Sequence, residues 1–99
     1  MLTVIRTYTT QPEKRKEAVA HIAKQAALIP GKYGGRDARV LRNVTGPSNQ
    51  VHVIVNWESL AAWDEGQKKI AQDAELQELV AQGKGLILSV TRTLYESVA

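Results

Sequence analysis

Two arginines and three aromatic residues form the set in this sequence that is best suited to chemistry. Arg6 and Tyr8 lie two positions apart near the amino terminus, and Trp57, Trp63 and Arg92 follow in later segments. A guanidinium group binds a carboxylate or a similar anion, and aromatic rings form walls of pockets for apolar ligands. The set predicts a pocket for a hydrophobic or aromatic acid, provided that the fold brings these residues together.

Each member of this set also has a purely structural interpretation. The arginines would extend to the rim of a sheet and pair with acidic residues there, namely Glu13, Glu17 or Glu96. The aromatic residues would be ordinary members of the core. The two interpretations differ in whether the arginines have acidic partners and whether the space beside the aromatic rings is open.

Other kinds of chemistry lack the residues that they require. The 99 residues include no cysteine, which excludes disulfides and thiolate catalysis and fits a cytoplasmic location. His21 and His52 stand alone without grouped carboxylates, so neither a metal site nor a cofactor is predicted. The net charge of +3 comes from scattered residues, which does not favour a nucleic-acid partner. The apolar runs are too short for a membrane span.

The segments that must position these residues follow the order β-α-β-β-α-β. Their content of β-branched and aromatic residues predicts strands over 2–10, 38–45, 51–57 and 86–95. An apolar stripe at helical spacing predicts a helix over 13–29, which Pro30 and Gly31 would end. This order matches the ferredoxin-like α+β fold, in which both helices cover one face of a four-stranded antiparallel sheet. We expect a single domain over residues 1–99.

The second helical region is predicted in two pieces. Ser59 is the expected N-cap of the first piece, Asp73 the N-cap of the second, and Gly83 its end. Gly66 lies inside the first piece, where glycine costs about 1 kcal/mol relative to alanine. We interpret it as a close approach of backbones or as a bend.

Alternation along the strands divides their residues between two faces of the sheet. The more apolar set is assigned to the helix-covered face and consists of Leu2, Val4, Arg6, Tyr8, Val40, Arg42, Val44, Val51, Val53, Val55, Trp57, Leu88, Val90, Arg92 and Leu94. The opposite face is mixed, which is typical of a sheet that packs against a second copy. It supplies the candidates for a homodimer interface: Ile5, Leu41, His52, Ile54, Asn56 and Tyr95.

Two stretches of the sequence resemble NIPSNAP-like proteins. IRTYTTQPEKRKE resembles their first strand, turn and helix, and TGPSNQVHVIVNWESLAAWDEGQKKIAQDAELQELV resembles their hairpin, third strand and second helical region. The resemblance implies a dimeric α/β barrel of the superfamily that includes antibiotic-biosynthesis monooxygenases, haem-degrading monooxygenases, polyketide cyclases and muconolactone-isomerase-like enzymes. It implies no catalytic residue. Haem degradation is disfavoured because residues 60–82 contain no histidine and Arg6 replaces the asparagine that those relatives carry on strand one.

The resulting hypothesis is a small homodimer that binds a hydrophobic or aromatic acid between its sheet and its helices. One alternative is a cofactor-independent monooxygenase, or a related isomerase or cyclase, that acts on an aromatic substrate. Another is a non-catalytic module that senses a ligand or regulates a partner. An enzyme predicts a deep pocket on which Arg6, Trp57 and Arg92 converge, whereas a module predicts that side chains fill this space or that the site lies on the surface.

Overall fold

In the computed structural model, which describes residues 1–99, the chain forms a four-stranded antiparallel sheet with its helices on one face. The strands are β1 (Leu2–Thr10), β2 (Arg36–Arg42), β3 (Gln50–Trp57) and β4 (Ile87–Glu96), in the order β2-β3-β1-β4. The helices are α1 (Arg15–Ala26), α2 (Ile29–Lys32), α3 (Leu60–Gln72) and α4 (Ala74–Gln82). The predicted ferredoxin-like α+β fold is therefore confirmed.

The first helical region is shorter than predicted and is followed by an extra short helix. Helix α1 begins at Arg15 because Glu13 has a φ of 67°, which is outside the helical region. Pro30 does not end a helix, as was predicted, but lies in the first turn of α2. Proline is tolerated there because an amide in the first turn has no partner within the helix.

Strand β2 begins earlier and ends earlier than the predicted 38–45. Its pairing with β3 shifts between Arg36 and Arg39, and Asp37 within this irregular stretch has a φ of 53°. Because β2 ends at Arg42, Val44 lies in the following loop and is 96% exposed. The assignment of Val44 to the helix-covered face was wrong, and Arg42 is exposed at the end of its strand.

A bulge in β4 changes which side chain faces the helices at the start of that strand. Thr9 pairs with Ser89, whereas Thr10 pairs with Ile87, so Leu88 is the extra residue. Ile87 consequently packs against the core, and Leu88 is 55% exposed. The assignment of Leu88 to the core was wrong because strict alternation does not hold across a bulge.

The predicted ends of the second helical region are confirmed. The Ser59 side chain accepts a hydrogen bond from the amide of Ala62 at 3.1 Å, and Asp73 accepts one from the amide of Leu76 at 3.1 Å. These two caps begin α3 and α4.

The hydrophobic core lies between the helices and the two central strands. Trp57 is 2% exposed, and Val51 on β3 and Ile22 on α1 are fully buried. The helices do not cover β4, where Val90 is 50% exposed although it lies on the helix side. None of the helices has both the length and the apolar character that a bilayer-spanning helix requires. The cytoplasmic location stays a prediction.

Candidate functional site

A cavity of about 60 Å³ lies between the central strands and the helices. Twelve of its fifteen lining residues are hydrophobic, and they come from β1, β3 and all four helices. The lining consists of Val4, Arg6, Tyr8, Ile22, Gln25, Ala26, Ile29, Val53, Val55, Trp57, Trp63, Gln67, Ile70, Leu76 and Val80. Arg6 is the one charged residue in this lining. The fold thus places a single cation beside an otherwise apolar space.

Four of the five residues proposed as pocket candidates line this cavity. They are Arg6, Tyr8, Trp57 and Trp63, which come from β1, β3 and α3. Arg92 does not line the cavity. It is exposed on β4, and its guanidinium carbon lies 5.1 Å from the centroid of the Trp63 ring. Arg92 therefore covers the outside of the wall that Trp63 forms.

The closed end of the cavity is formed by the Trp57 ring, against which Gly35 and Gly66 pack, with the Tyr33 carbonyl beside Gly66. A Cβ on Gly66 would lie 2.6 Å from the Trp57 ring and 2.8 Å from the carbonyl oxygen of Tyr33. A Cβ on Gly35 would lie 2.7 Å from Val55. Gly66 thus marks a close approach of backbones, one of the two interpretations drawn from the sequence. Both glycines let the chain pack directly against the indole, which leaves this end without space for a ligand.

A hydrogen bond between Tyr33 and Asp73 ties the closed end to the junction of α3 and α4. The buried Tyr33 hydroxyl donates to Asp73 Oδ2 at 2.5 Å, and the Lys32 ammonium donates to the same oxygen at 3.1 Å. Burial, with the Asp73 carboxylate adding to it, raises the pKa of Tyr33 to about 12. The bond from Tyr33, with the Leu76 amide and Lys32 adding to it, lowers the pKa of Asp73 to about 2. Each group thus favours the charge state that the bond requires.

The open end of the cavity is lined by Arg6, Trp63 and Gln67, and Arg92 lies outside it against the Trp63 ring. Arg6 is half-buried, and its Nη2 donates to Gln67 Oε1 at 3.2 Å. Arg6 and Arg92 are direct partners in the pairing of β1 with β4, which places two cations opposite each other. Like charges in this position destabilise a sheet unless an anion lies between or beside them.

No acidic side chain compensates this pair of arginines. The four ion pairs of the structure join Lys32 to Asp73 and Glu75, Arg36 to Glu58, and Lys68 to Asp64. The structural interpretation of the arginines, in which they pair with Glu13, Glu17 or Glu96, was therefore wrong. The one side-chain hydrogen bond of the Arg6 guanidinium goes to the neutral amide of Gln67.

A cleft of about 490 Å³ opens from the cavity toward the surface. Cavity and cleft share Arg6, Tyr8, Ile22, Gln25 and Val80 in their linings, so Arg6 lies at their junction. The rest of the cleft lining includes the cation Lys84 and no aspartate or glutamate. The positive charge of the cleft thus favours an anionic ligand, and the cleft leads to the apolar cavity.

His21 also lies in the wall of the cleft. Its Nε2 accepts a hydrogen bond from the amide of Gln25 at 2.9 Å, and its ring packs directly on the backbone of Gly83. A Cβ at Gly83 would overlap this ring. His21 therefore holds the end of α4 against α1, a packing role that the sequence pattern did not indicate.

Gln67 is the site residue that the sequence reasoning missed. It lies four residues after Trp63 and three before Ile70, so the three side chains share one face of α3. This spacing was the available signal, because a glutamine inside an apolar stripe faces the same space as its neighbours. The hydrophobic members of the stripe alone do not indicate it.

The interface candidates lie on the face of the sheet that no helix covers. Ile5, Ile54, His52 and Asn56 are half-buried by their neighbours, whereas Leu41 is 39% and Tyr95 53% exposed. The homodimer stays a prediction.

A polar chain runs across this uncovered face. Thr7 Oγ1 lies 3.0 Å from His52 Nδ1, and His52 Nε2 lies 2.5 Å from Asn43 Oδ1. The Asn43 oxygen can only accept, so His52 Nε2 donates to it. His52 is thus engaged in bonds within the sheet.

The sequence model of the NIPSNAP family matches residues 3–99. The chain belongs to the NIPSNAP family. A NIPSNAP domain protein from Burkholderia xenovorans has a similar structure, with a TM-score of 0.85 at 17% identity over 100% of this chain and 96% of that one. The fold of this NIPSNAP chain is therefore that of other members with solved structures.

Two oxygenase-related structures share the same fold. One is a putative antibiotic biosynthesis monooxygenase from Deinococcus radiodurans, with a TM-score of 0.76 at 16% identity over 100% of this chain and 94% of that one. The other is SnoaB, a cofactor-independent oxygenase from Streptomyces nogalater, with a TM-score of 0.73 at 16% identity over 97% and 91% of the two chains. No protein with a curated description matches the sequence. At these identities the likeness is one of fold.

Proposed function

We propose that this NIPSNAP chain binds a small hydrophobic or aromatic acid between its sheet and its helices. The observation that carries the proposal is the position of Arg6, a half-buried cation at the junction of an apolar cavity and an open cleft. Its guanidinium faces Arg92 and a neutral glutamine. A carboxylate of the ligand would accept hydrogen bonds from Arg6 and relieve the repulsion between the arginines.

The size of the cavity sets where the ligand would lie. A cavity of about 150 Å³ holds one benzene ring, whereas this one measures about 60 Å³. An aromatic ligand would therefore occupy part of the 490 Å³ cleft as well, with its most apolar portion directed inward. Arg6 lies where the two spaces meet, so the acidic group would sit at the middle of such a ligand or at its outer end.

The composition of the lining favours binding over proton-transfer chemistry. Besides Arg6, Tyr8 is the one titratable residue that lines the cavity, and the lining contains no carboxylate and no histidine. A general base of the usual kind is thus not supplied by these residues. Cofactor-independent oxygenation, or isomerisation or cyclisation of an aromatic substrate, would have to draw on the reactivity of the substrate itself. A non-catalytic sensor would use the same pocket.

A thermal-shift and calorimetric screen of aromatic carboxylates tests the proposal. The protein would be compared with Arg6→Gln and with Arg42→Gln, a matched loss of one positive charge at the exposed end of β2. We expect at least one acid to bind the wild type and Arg42→Gln equally, and Arg6→Gln about ten-fold or more weakly. Equal responses of the three proteins, or no response of any, would contradict the proposal.

We also propose that two copies of the chain pair through the uncovered face of the sheet. The apolar residues of this face support the pairing. Ile5 and Ile54 are direct partners on the two central strands, and the exposed side chains of Tyr95 and Leu41 lie beside them. An apolar surface of this kind on a sheet is stabilised when a second sheet covers it.

Sedimentation velocity at micromolar concentration tests this pairing. The wild type is expected to sediment as a dimer and Ile54→Lys as a monomer, because the new charge would be buried at the centre of the interface. Val44→Lys is the control, since Val44 is 96% exposed in a loop. A monomeric wild type, or a dimer that persists in Ile54→Lys, would contradict the pairing.

A further inference from the structure

Trp63 carries the one buried side-chain nitrogen or oxygen that has no hydrogen-bond partner in the structure, its Nε1. The residue lines the apolar cavity from the first turn of α3. A buried N–H group without an acceptor is costly, and native proteins rarely keep one without a functional or structural reason. The cap at Ser59 fixes the start of α3 and with it the position of this ring.

The surroundings of Trp63 offer this N–H group no acceptor. The oxygen of Gln67, one turn along the same helix face, accepts from Arg6 and not from Trp63. Outside the cavity, the guanidinium of Arg92 lies 5.1 Å from the ring centroid, and a guanidinium has no acceptor. The cavity lining is mostly hydrophobic, and none of its polar groups bonds to Trp63 Nε1. A ligand in the cavity would supply the missing acceptor.

From this geometry we infer that the ligand is an oxo acid, with a carbonyl oxygen that accepts from Trp63 Nε1 and an acidic group that binds Arg6. The inference rests on the proposed function and adds the second polar group. Arg6 and Trp63 are linked through Gln67, which lies one helical turn after Trp63 on the same face of α3 and accepts from Arg6. The carbonyl and the acidic group should therefore lie on one small aromatic or alicyclic frame that reaches both residues.

A matched pair of ligands tests the inference by calorimetry. Phenylbutanoate and its benzylic ketone, benzoylpropionate, share the ring, the chain length and the acid, and they differ in the carbonyl group. The wild type is expected to bind the ketone about three- to ten-fold more tightly, the usual contribution of one hydrogen bond. Trp63→Phe keeps an aromatic ring in the cavity and removes the donor, so the two ligands should bind it equally.

The tryptophan ring N–H signals in a nitrogen–proton correlation spectrum give a second readout. The chain has two tryptophans, so the Trp63 signal is identified by its absence from Trp63→Phe. Benzoylpropionate should move this signal downfield, as a new hydrogen bond does, and phenylbutanoate should not. Comparison of the two ligands is the control, because both carry the same ring and acid.

The outcomes separate the inference from the proposed function. If phenylbutanoate binds in an Arg6-dependent way but the ketone has no advantage, Trp63 Nε1 is served by water, and only the oxo-acid inference fails. An advantage that persists in Trp63→Phe would likewise place the carbonyl elsewhere and overturn it. If the wild type binds neither compound, the inference and the proposed acid site both fail for this ligand class.

Discussion

The two ends of the cavity contain similar residue types, but their polar groups differ in whether they have hydrogen-bond and charge partners within the protein. At the closed end, the Trp57 ring is packed against two glycines, and the Tyr33 hydroxyl has a carboxylate partner. At the open end, the Trp63 N–H group has no acceptor, and Arg6 has a neutral partner. The closed end thus has the satisfied contacts of a structural core, whereas the open end has polar groups that a ligand would complete.

This difference predicts that substitutions at the closed end change stability and that substitutions at the open end change binding. Both ends lie beside the same four-stranded sheet, so the contrast can be measured with single substitutions and one set of unfolding experiments. The contrast would be contradicted if Arg6→Gln lost much stability, or if a closed-end variant lost much binding while it stayed folded.

The largest expected effect on stability is that of Gly66→Ala. Alanine is normally better than glycine inside a helix by about 1 kcal/mol. Here its Cβ would lie 2.8 Å from the Tyr33 carbonyl oxygen and 2.6 Å from Trp57, so backbone must move. We expect a net loss of about 1–3 kcal/mol in the free energy of unfolding, measured by urea denaturation. Gly31→Ala is the control, since nothing lies within 4 Å of a Cβ there.

A stabilised Gly66→Ala would contradict the account of the closed end, because it would show that α3 does not rest on Trp57 through this glycine. The same result would remove the reason for treating the closed end as space that no ligand enters. An unchanged or raised stability of Gly31→Ala is expected in either case.

A smaller effect is expected from Tyr33→Phe, which removes the bond to Asp73 and keeps the ring. Its melting temperature should fall by a few degrees at neutral pH. The lowered pKa of Asp73 contributes stability above pH 3.8, and this contribution is lost as pH falls toward about 2. The raised pKa of Tyr33 contributes below pH 10.0, and this contribution is lost as pH rises toward about 12.

The difference between wild type and Tyr33→Phe should therefore be constant between about pH 4 and 10 and should shrink outside that window. Thermal unfolding followed by circular dichroism across this range measures it. A difference that does not vary with pH down to about 2 would show that the hydroxyl contributes through packing alone.

Element order and helix caps were predictable because each depends on local chemistry. Ser59 and Asp73 cap their helices through their own side chains, and this signal is contained in a few adjacent residues. The positions of Val44 and Leu88 were not predictable from alternation, because one strand ends early and the other contains a bulge. Both features arise from pairing with strands that are distant in sequence.

The candidate site was predictable in its residue types and less so in its partners. Arg6, Tyr8, Trp57 and Trp63 share a cavity because strand alternation and helical spacing direct them to one side of the sheet. The absence of acidic partners for Arg6 depends on where distant glutamates lie, which no local pattern contains. The unpartnered nitrogen of Trp63 likewise requires knowledge of every neighbour in three dimensions.

The central claim is that the open end recognises the charge of a hydrophobic acid. Isothermal titration of one aromatic carboxylate and its neutral amide, against wild type and Arg6→Gln, tests it most directly. The account predicts that the wild type binds the acid about ten-fold or more tightly than the amide and that Arg6→Gln binds both with equal, weak affinity. Equal affinities of the wild type for the acid and the amide would contradict it.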